Sequence, residues 1–398
     1  MRTALAVIAG ALVGLLVGAG VTLALQQPEA VSRTAVLPGG GGLPVTAPAQ
    51  PGTFLAWTPG GLPHGFRSRL ATLDGIRRSV VVKSDVIWLT GSRSSAGEVV
   101  DDPPAGLAIP LEVAAVHPIE YEPFVPPAER GALADLSNGF GVLGETSARL
   151  RGLGPGAVLE FGDVRVEIAA VWPDELVGAH ELLVARDLGR TMGVTHDRYA
   201  LIQPEGEATG PQVARLVRSV VPADVPVQIR SPGETPYFRQ GDAVLPPVEL
   251  KTLFGEFAAR PAPGRPGYLE IDPGWEAAHI ATERVPILGR VTCNVALFPQ
   301  LRGALREIVE LGLRDTIDSY SGCYARRFAN RDPTQSISHH TWGVAFDINV
   351  PANPFGAPPS QDPRMVEVFE RWGFIWGGTF VLPDGMHFEY HRPPAPRA

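Results

Sequence analysis

An uncharged apolar run near the start of the chain restricts how its 398 residues can fold. Residues 4–25 contain no charged side chain, and Arg2 stands before them. A helix of this length extends about 33 Å, which is enough to cross the hydrocarbon core of a bilayer. Thr22-Leu23-Ala24 also resembles a small-residue cleavage site, although a signal-peptide core is usually shorter. We therefore predict that residues 1–25 are a transmembrane anchor, with a cleaved signal segment as the alternative. Both place the remainder outside the cytoplasm.

Composition limits the organisation and the partners of that remainder. A length of 398 residues exceeds one compact core and predicts two folded domains with connecting segments. The net charge of −8 argues against nucleic acid as a partner, because phosphate binding favours a basic surface. Forty prolines and 45 glycines predict many turns, short strands and at least one flexible linker.

The distribution of apolar runs and turn residues divides the chain into segments. Residues 79–89 and 164–171 are typical of strands, and residues 211–220 have the apolar period of a helix. Stretches rich in proline and glycine predict linkers on both sides of this α+β pattern. The predicted segments are the apolar segment 1–25, a linker at 26–61, an α+β domain at 62–230, a linker at 231–264 and a second domain at 265–398.

One part of the first domain resembles a known module. Residues 139–187 are similar to the extracytoplasmic core domain of FtsX-type permeases over one strand–helix–hairpin unit, with Gly162-Asp163 as the hairpin signal. The segment contains no catalytic motif. The resemblance therefore implies an interaction or regulatory module rather than a second enzyme.

The C-terminal domain contains a group of residues with metal-binding chemistry. The run Val344-Ala345-Phe346-Asp347-Ile348 predicts a buried strand, in which an aspartate is unfavourable unless it is paired or bound to a cation. His340 precedes this strand by a short loop. His387 and Glu389 share one face of a second predicted strand. If the two strands are neighbours, His340, Asp347 and His387 converge on one ion, and two histidines with one carboxylate are typical ligands of catalytic zinc.

These residues resemble the signature of a zinc peptidase family. The family includes D-alanyl-D-alanine carboxypeptidases, the VanX and VanY enzymes and phage L-alanyl-D-glutamate endopeptidases. The similarity covers about 110 residues. Its motifs here are Ser321-Gly322-Cys323-Tyr324-Ala325-Arg326-Arg327, Ser338-x-His340-x-x-Gly343-x-Ala345-x-Asp347, Trp372-Gly373-Phe374, and Asp384-x-x-His387-Phe388-Glu389.

The resemblance implies roles for individual positions. His340, Asp347 and His387 correspond to the ligands of Zn²⁺, and Asp384 corresponds to the acid/base residue. The carboxypeptidase branch usually has glutamate at that place, so the aspartate is more similar to the endopeptidase branch. Glu389 and Ser338 are predicted to support the site without binding the metal.

An arginine after the Ser-Gly motif binds substrate carboxylate or the developing oxyanion in this family. Tyr324-x-x-Arg327 matches the pattern best, and Arg326 is the alternative. His339, beside His340, is predicted to be a supporting or exposed residue, because the Ser338-x-His340 spacing selects the other histidine.

The two cysteines, Cys293 and Cys323, lie in the same domain. They have no C-x-x-C spacing, which argues against cysteine as a metal ligand. Outside the cytoplasm they are candidates for a disulfide, and two unrelated buried thiols are the alternative.

The sequence therefore predicts an α+β fold class. A C-terminal zinc peptidase domain, with a small antiparallel sheet and flanking helices, follows a separate α+β domain and an N-terminal transmembrane helix. The predicted function is hydrolysis of peptidoglycan stem peptides outside a bacterial cytoplasm, by a single-pass membrane protein or a secreted one. The alternatives are a catalytically inactive wall-binding or regulatory scaffold, and a sensor whose middle domain binds a protein partner.

Overall fold

A mixed β-sheet of eleven strands forms the largest part of the described structure. The computed structural model describes residues 52–232, 239–243 and 245–394. The strands of this sheet are β1 (Phe54–Trp57), β2 (Ile76–Leu89), β3 (Gly91–Arg93), β4 (Val99–Asp101), β5 (Ile109–Val116), β6 (Gly141–Gly144), β7 (Val158–Phe161), β8 (Val164–Trp172), β9 (Leu182–Ala185), β10 (Asp197–Pro204) and β11 (Gln228–Arg230).

The strand order is β11-β1-β10-β2-β5-β9-β6-β8-β7-β3-β4. Only β5–β9 and β6–β8 are parallel among these described pairs, and the others are antiparallel. Each residue of β5 is buried, because apolar clusters cover both faces of the sheet there. Six helices accompany the sheet: α1 (Phe66–Leu70), α2 (Pro118–Tyr121), α3 (Ala132–Ser137), α4 (Glu145–Arg151), α5 (Arg186–Met192) and α6 (Gly210–Arg218).

The C-terminal part contains a four-stranded antiparallel sheet with the order β16-β17-β19-β18. Its strands and their neighbours are β12 (Ala259–Pro261), β13 (Leu269–Ile271), β14 (Ile280–Val285), β15 (Gly289–Asn294), β16 (Tyr320–Gly322), β17 (Ala345–Ile348), β18 (Phe374–Trp376) and β19 (His387–Tyr390). The helices are α7 (Pro247–Phe254), α8 (Pro273–His279), α9 (Phe298–Glu310) and α10 (Pro363–Arg371).

Aromatic packing fixes this small sheet on its helices. Phe346 of β17 packs against Phe369 of α10, Phe374 of β18 and Phe388 of β19, with ring centroids 5.2–5.5 Å apart. Helix α10 begins after Asp362, whose side chain accepts a hydrogen bond from the Arg364 amide and so caps the helix. The position and tilt of β17 and β19 therefore rest on a buried apolar layer.

Buried charges join helix α7 to the large-sheet part of the fold. Arg151 of α4 and Lys251 of α7 both pair with Glu181 and Glu256, at distances of 2.6–3.2 Å. The Arg151, Lys251 and Glu181 side chains are each only 1% exposed. Two positive and two negative groups neutralise each other, as burial of charge requires.

The predicted fold class was wrong. The prediction placed a separate α+β domain before the peptidase domain, whereas the sheet of eleven strands and the small sheet belong to one compact unit in the described chain. The pairing that creates the large sheet joins distant residues, such as Phe54 with Ile202, and no local pattern indicates it. Residues 231–264, predicted as a linker, contain α7 and β12.

The predicted transmembrane segment at residues 1–25 lies outside the described residues. Within the described part of the chain, no helix combines the length and the apolar character that crossing a bilayer requires.

Candidate metal centre

The two strands that carry metal-binding residues are antiparallel neighbours. Asp347 of β17 stands directly opposite His387 of β19 in the register. The alternation of side chains along β19 places Glu389 on the same face as His387. The small sheet thus brings a carboxylate and an imidazole together from positions 40 residues apart.

His340 reaches the same place from a short 3-10 turn, His339–Trp342, before β17. Gly343 ends this turn with a positive φ of 68°. A Cβ at Gly343 would lie 2.6 Å from the backbone nitrogen of Asn294, so the close approach requires glycine. The His340 ring is buried, and its Nδ1 lies 2.8 Å from the Cys323 carbonyl oxygen. Donation from Nδ1 leaves the lone pair on Nε2, which points at the centre.

Three ligand atoms form a nearly equilateral triangle. Nε2 of His340 lies 3.2 Å from Nδ1 of His387 and 3.3 Å from Oδ1 of Asp347, and the last two atoms are 3.2 Å apart. Ligands 2.0–2.1 Å from a tetrahedral zinc stand about 3.3 Å apart. The donor set and its spacing therefore fit one zinc ion with one coordination position left open.

The charges around this triangle favour a cation at its centre. Burial alone would raise the pKa of Asp347, but hydrogen bonds with His340 and His387 lower it well below its usual range. Burial opposes protonation of His387, yet the carboxylates of Asp347 and Glu389 raise its pKa to about 10. Burial lowers the pKa of His340. The cluster thus stabilises one positive charge, either a proton on His387 or a metal cation.

A second layer orients His387. Its Nε2 lies 3.1 Å from Oε2 of Glu389, and Nδ1 of His339 lies 2.8 Å from the same oxygen. Burial would raise the pKa of Glu389, but the two histidines lower it below the usual range, so the group is a carboxylate. A carboxylate that accepts from Nε2 directs the Nδ1 lone pair of His387 towards the triangle. Sequence reasoning assigned Glu389 this place but gave His339 no definite role.

Asp384 lies beside the triangle on the loop before β19. Its carbonyl accepts a hydrogen bond from the His387 amide at 3.0 Å, and its own amide donates to the Gly377 carbonyl at 2.9 Å. A Cβ at Gly377 would meet the Asp384 carbonyl oxygen at 2.6 Å, so this approach also requires glycine. Oδ1 of Asp384 is buried without a hydrogen-bond partner among the described residues. Burial raises the pKa of this carboxyl, although His387 opposes the effect.

The two candidate arginines, Arg326 and Arg327, line different clefts. Arg327 lines the same cleft as His340, Asp347 and Asp384. Arg326 lines a separate groove, where it lies 3.6 Å from Glu276. Burial lowers the pKa of Arg327, and the charges of Asp347 and Asp384 oppose that shift. The geometry selects Arg327 over Arg326 as the arginine of the cleft.

Ser338 and the cysteines hold the loops of the site. The Ser338 amide donates to the Arg327 carbonyl at 3.1 Å, which pairs the two loops that line the cleft. Cys293 and Cys323 form a disulfide with a Cα–Cα distance of 5.4 Å. The bond fixes Cys323, whose carbonyl accepts from His340. Both features fix the backbone around the 3-10 turn His339–Trp342, which carries His340.

The large sheet supplies the opposite wall of a cleft of about 790 Å³. Trp57, Arg198 and Arg239 from its side line this cleft together with the candidate ligands. Glu112 of β5 accepts a hydrogen bond from Ser336, four residues before His340, at 2.6 Å. Sequence reasoning missed these residues, because a contact across 224 positions leaves no local signal.

Comparisons with known proteins agree with the C-terminal site. Residues 331–390 match a family model described as D-alanyl-D-alanine carboxypeptidase. The matched range contains His340, Asp347, Asp384 and His387. No curated protein sequence gives a significant match.

Some solved structures resemble less than half of the chain. The extracellular domain of the ABC-type transporter YknZ from Gram-positive bacteria matches with a TM-score of 0.29 and 16% identity, over 45% of this chain and 100% of that one. The periplasmic region of MacB from Actinobacillus actinomycetemcomitans matches with a TM-score of 0.30 and 11% identity, over 44% of this chain and 88% of that one. At TM-scores this low, the FtsX-type resemblance of residues 139–187 stays a prediction.

Proposed function

We propose that this chain is an extracytoplasmic zinc peptidase that hydrolyses peptidoglycan stem peptides. The observation that carries the proposal is the triangle of His340, Asp347 and His387, with a half-buried carboxylate, Asp384, beside it. Three lone-pair acceptors at 3.2–3.3 Å repel one another unless a cation lies among them. A structural site would use four protein ligands, whereas three leave a position for water or substrate.

Zinc at this site supplies Lewis-acid activation of the scissile carbonyl and of the attacking water. The chain supplies the proton transfers. Oδ1 of Asp384 accepts a proton from the attacking water and later donates it to the leaving amine. Its position next to His387, and the absence of a competing donor among the described residues, keep this oxygen free for that role.

Arg327 binds the substrate anion in this proposal. Its guanidinium is half-buried in the cleft and forms only a 3.4 Å hydrogen bond to the Phe328 carbonyl among the described contacts. A planar donor in this setting suits a terminal carboxylate or the oxyanion that develops at the scissile carbonyl.

The substrate class and the compartment rest on further observations. The disulfide between Cys293 and Cys323 favours an oxidising location outside the cytoplasm. Asp384, where carboxypeptidases of the family usually have glutamate, favours cleavage within the stem peptide over removal of the terminal D-alanine. The family match at residues 331–390 supports a peptide substrate.

A digest of purified stem peptides and muropeptides, followed by mass spectrometry, tests the proposal. We expect zinc-dependent products, with cleavage between L-Ala and D-Glu for an endopeptidase or loss of a terminal D-Ala for a carboxypeptidase. A chain that binds the peptides but releases no product, with zinc present, would instead be a wall-binding scaffold.

A further inference from the structure

Four arginines line the cleft within the described residues, and two of them have structural partners. Arg198 lies 2.9 Å from Asp85, and Arg239 lies 3.0 Å from Glu112. Both arginine side chains are 8% exposed. These ion pairs stabilise the side of the cleft next to the large sheet. The carboxylates of Asp85 and Glu112 already neutralise the two arginines, so neither is available to bind an anion.

The other two arginines, Arg327 and Arg331, form no ion pair with a described carboxylate. Both side chains line the same cleft, where burial lowers the pKa of Arg327 and the positive charge of Arg331 lowers it further. The nearest carboxylate in sequence, Asp332, is engaged elsewhere, because its Oδ1 accepts from the amide and the hydroxyl of Thr334 at 2.9 and 2.8 Å. Arg331 is exposed at the cleft and Arg327 is half-buried in it, and two like charges that line one cleft repel each other until an anion binds both.

The backbone that presents Arg331 is held in an unusual conformation. Asn330 and Arg331 have successive positive φ angles of 55° and 56°. Non-glycine residues rarely adopt this region, and each costs of order 1 kcal/mol or more. Gly267 packs against the turn so closely that a Cβ there would lie 1.9 Å from the Arg331 carbonyl oxygen. The fold thus holds the turn in a conformation that neither residue prefers, at the edge of the cleft.

We propose that Arg331 and Arg327 form a two-arginine subsite for a peptide with two carboxylates. Arg327 binds the carboxylate or oxyanion next to the scissile bond, and Arg331 binds a second carboxylate further along the peptide. The subsite rests on the proposed peptidase function. It extends that function to a class of substrate, namely acidic peptides in which a glutamate keeps one carboxyl group free.

The chemistry of the cleft explains why two cations are needed. The carboxylates of Asp347 and Asp384 balance the charge of a bound Zn²⁺, so the reacting centre has no surplus positive charge for an anionic peptide. The guanidinium groups supply that positive charge and offer paired N–H donors that match carboxylate geometry. A carboxamide at the second position has neither the charge nor the two acceptor oxygens.

Hydrolysis of two matched stem peptides by the full chain tests the subsite. One peptide has a free glutamate carboxyl group, and the other has the carboxamide in its place. We expect wild type to prefer the free carboxyl peptide about tenfold in kcat/KM, and Arg331→Gln to remove the preference through KM with kcat unchanged. Arg331→Lys should retain part of the preference, because lysine keeps the positive charge but lacks the paired N–H donors of the guanidinium group.

Arg326→Gln is the matched control, since its side chain faces the other groove and should leave the preference intact. A wild type that does not distinguish the peptides, or an Arg331→Gln variant that still does, overturns the subsite. If wild type hydrolyses neither peptide, the proposed peptidase function fails. Calorimetric binding of the same two peptides then decides the subsite, which stands only if the preference appears in wild type and disappears in Arg331→Gln.

Discussion

Two buried polar clusters in this molecule differ in how their charges are compensated. Between helix α7 and the large sheet, Arg151 and Lys251 neutralise Glu181 and Glu256 with direct contacts of 2.6–3.2 Å. In the small sheet, His340, Asp347 and His387 direct three acceptor atoms at each other. The first cluster is complete without a ligand, and the second is not.

The difference separates structural charge from functional charge. The complete cluster stabilises the contact of α7 with the large sheet, and removal of one partner leaves a buried charge uncompensated. The incomplete cluster contributes most to the free energy of folding when a cation is bound. Variants in the two clusters should therefore affect different measurements, either the free energy of unfolding or metal binding and turnover.

The largest effect is expected for Asp384→Asn. The variant keeps the size of the side chain and the three metal ligands, but it removes the group that accepts and returns the proton. We expect turnover to fall by about 100- to 10,000-fold while zinc content is unchanged. Steady-state hydrolysis and metal analysis of the same sample measure both quantities. Full activity in this variant would contradict the assigned role of Asp384.

Lys251→Met tests the complete cluster. It leaves Glu181 and Glu256 with Arg151 alone, so the free energy of unfolding should fall by about 3–5 kcal/mol. Urea unfolding measures the change, and activity per folded molecule should be unchanged. Arg149→Ala is the control, because Arg149 pairs with Glu145 on the surface, with side chains 63% and 58% exposed. Equal stability of the Lys251 and Arg149 variants would show that the cluster is not structural.

Acid should weaken the large-sheet region through His180. Its ring is buried against Tyr199, and burial lowers its pKa to about 4, although Glu112 opposes the shift. The folded state then binds fewer protons than the unfolded state between pH 6.5 and pH 4. Stability from this group is present above pH 6.5 and falls by about 3 kcal/mol towards pH 4.

The control for this effect is His180→Gln, which lacks the titrating ring. Its unfolding free energy, measured in urea at several pH values, should fall less steeply with acid than that of wild type. Parallel pH profiles for the two proteins would show that His180 is not responsible.

The smallest effect is expected for the layer behind the metal ligands. Glu389→Gln and His339→Ala should each weaken zinc binding by about 10- to 100-fold, because His387 loses the group that orients it or its support. The exposed His117→Ala serves as the control and should bind zinc like wild type. Chelator competition measures all three affinities. Unchanged zinc affinity in both variants would show that Glu389 and His339 do not orient His387.

Local chemistry made part of the structure predictable. Asp362 and Pro363 indicate the start of α10, and the apolar run around Asp347 indicates β17. The family motif indicates the ligand residues, and the structure brings all three together. The role of each residue in that group stays a prediction until metal binding is measured.

Long-range contacts explain what the sequence could not show. The prolines at 246 and 247 suggested a linker, yet proline fits the first turn of a helix, and α7 begins there. Glu112 and Ser336 meet only because β5 lies near the centre of a sheet whose order mixes distant strands. The wall of the cleft therefore comes from a region that sequence reasoning treated as a separate domain.

Zinc titration of wild type and Asp347→Asn, in competition with a chromophoric chelator, tests the metal centre most directly. We expect one tight site per chain in wild type, and loss of that site in Asp347→Asn, whose circular dichroism spectrum should match that of wild type. Equal zinc binding by the two proteins, or no tight site in wild type, would contradict it.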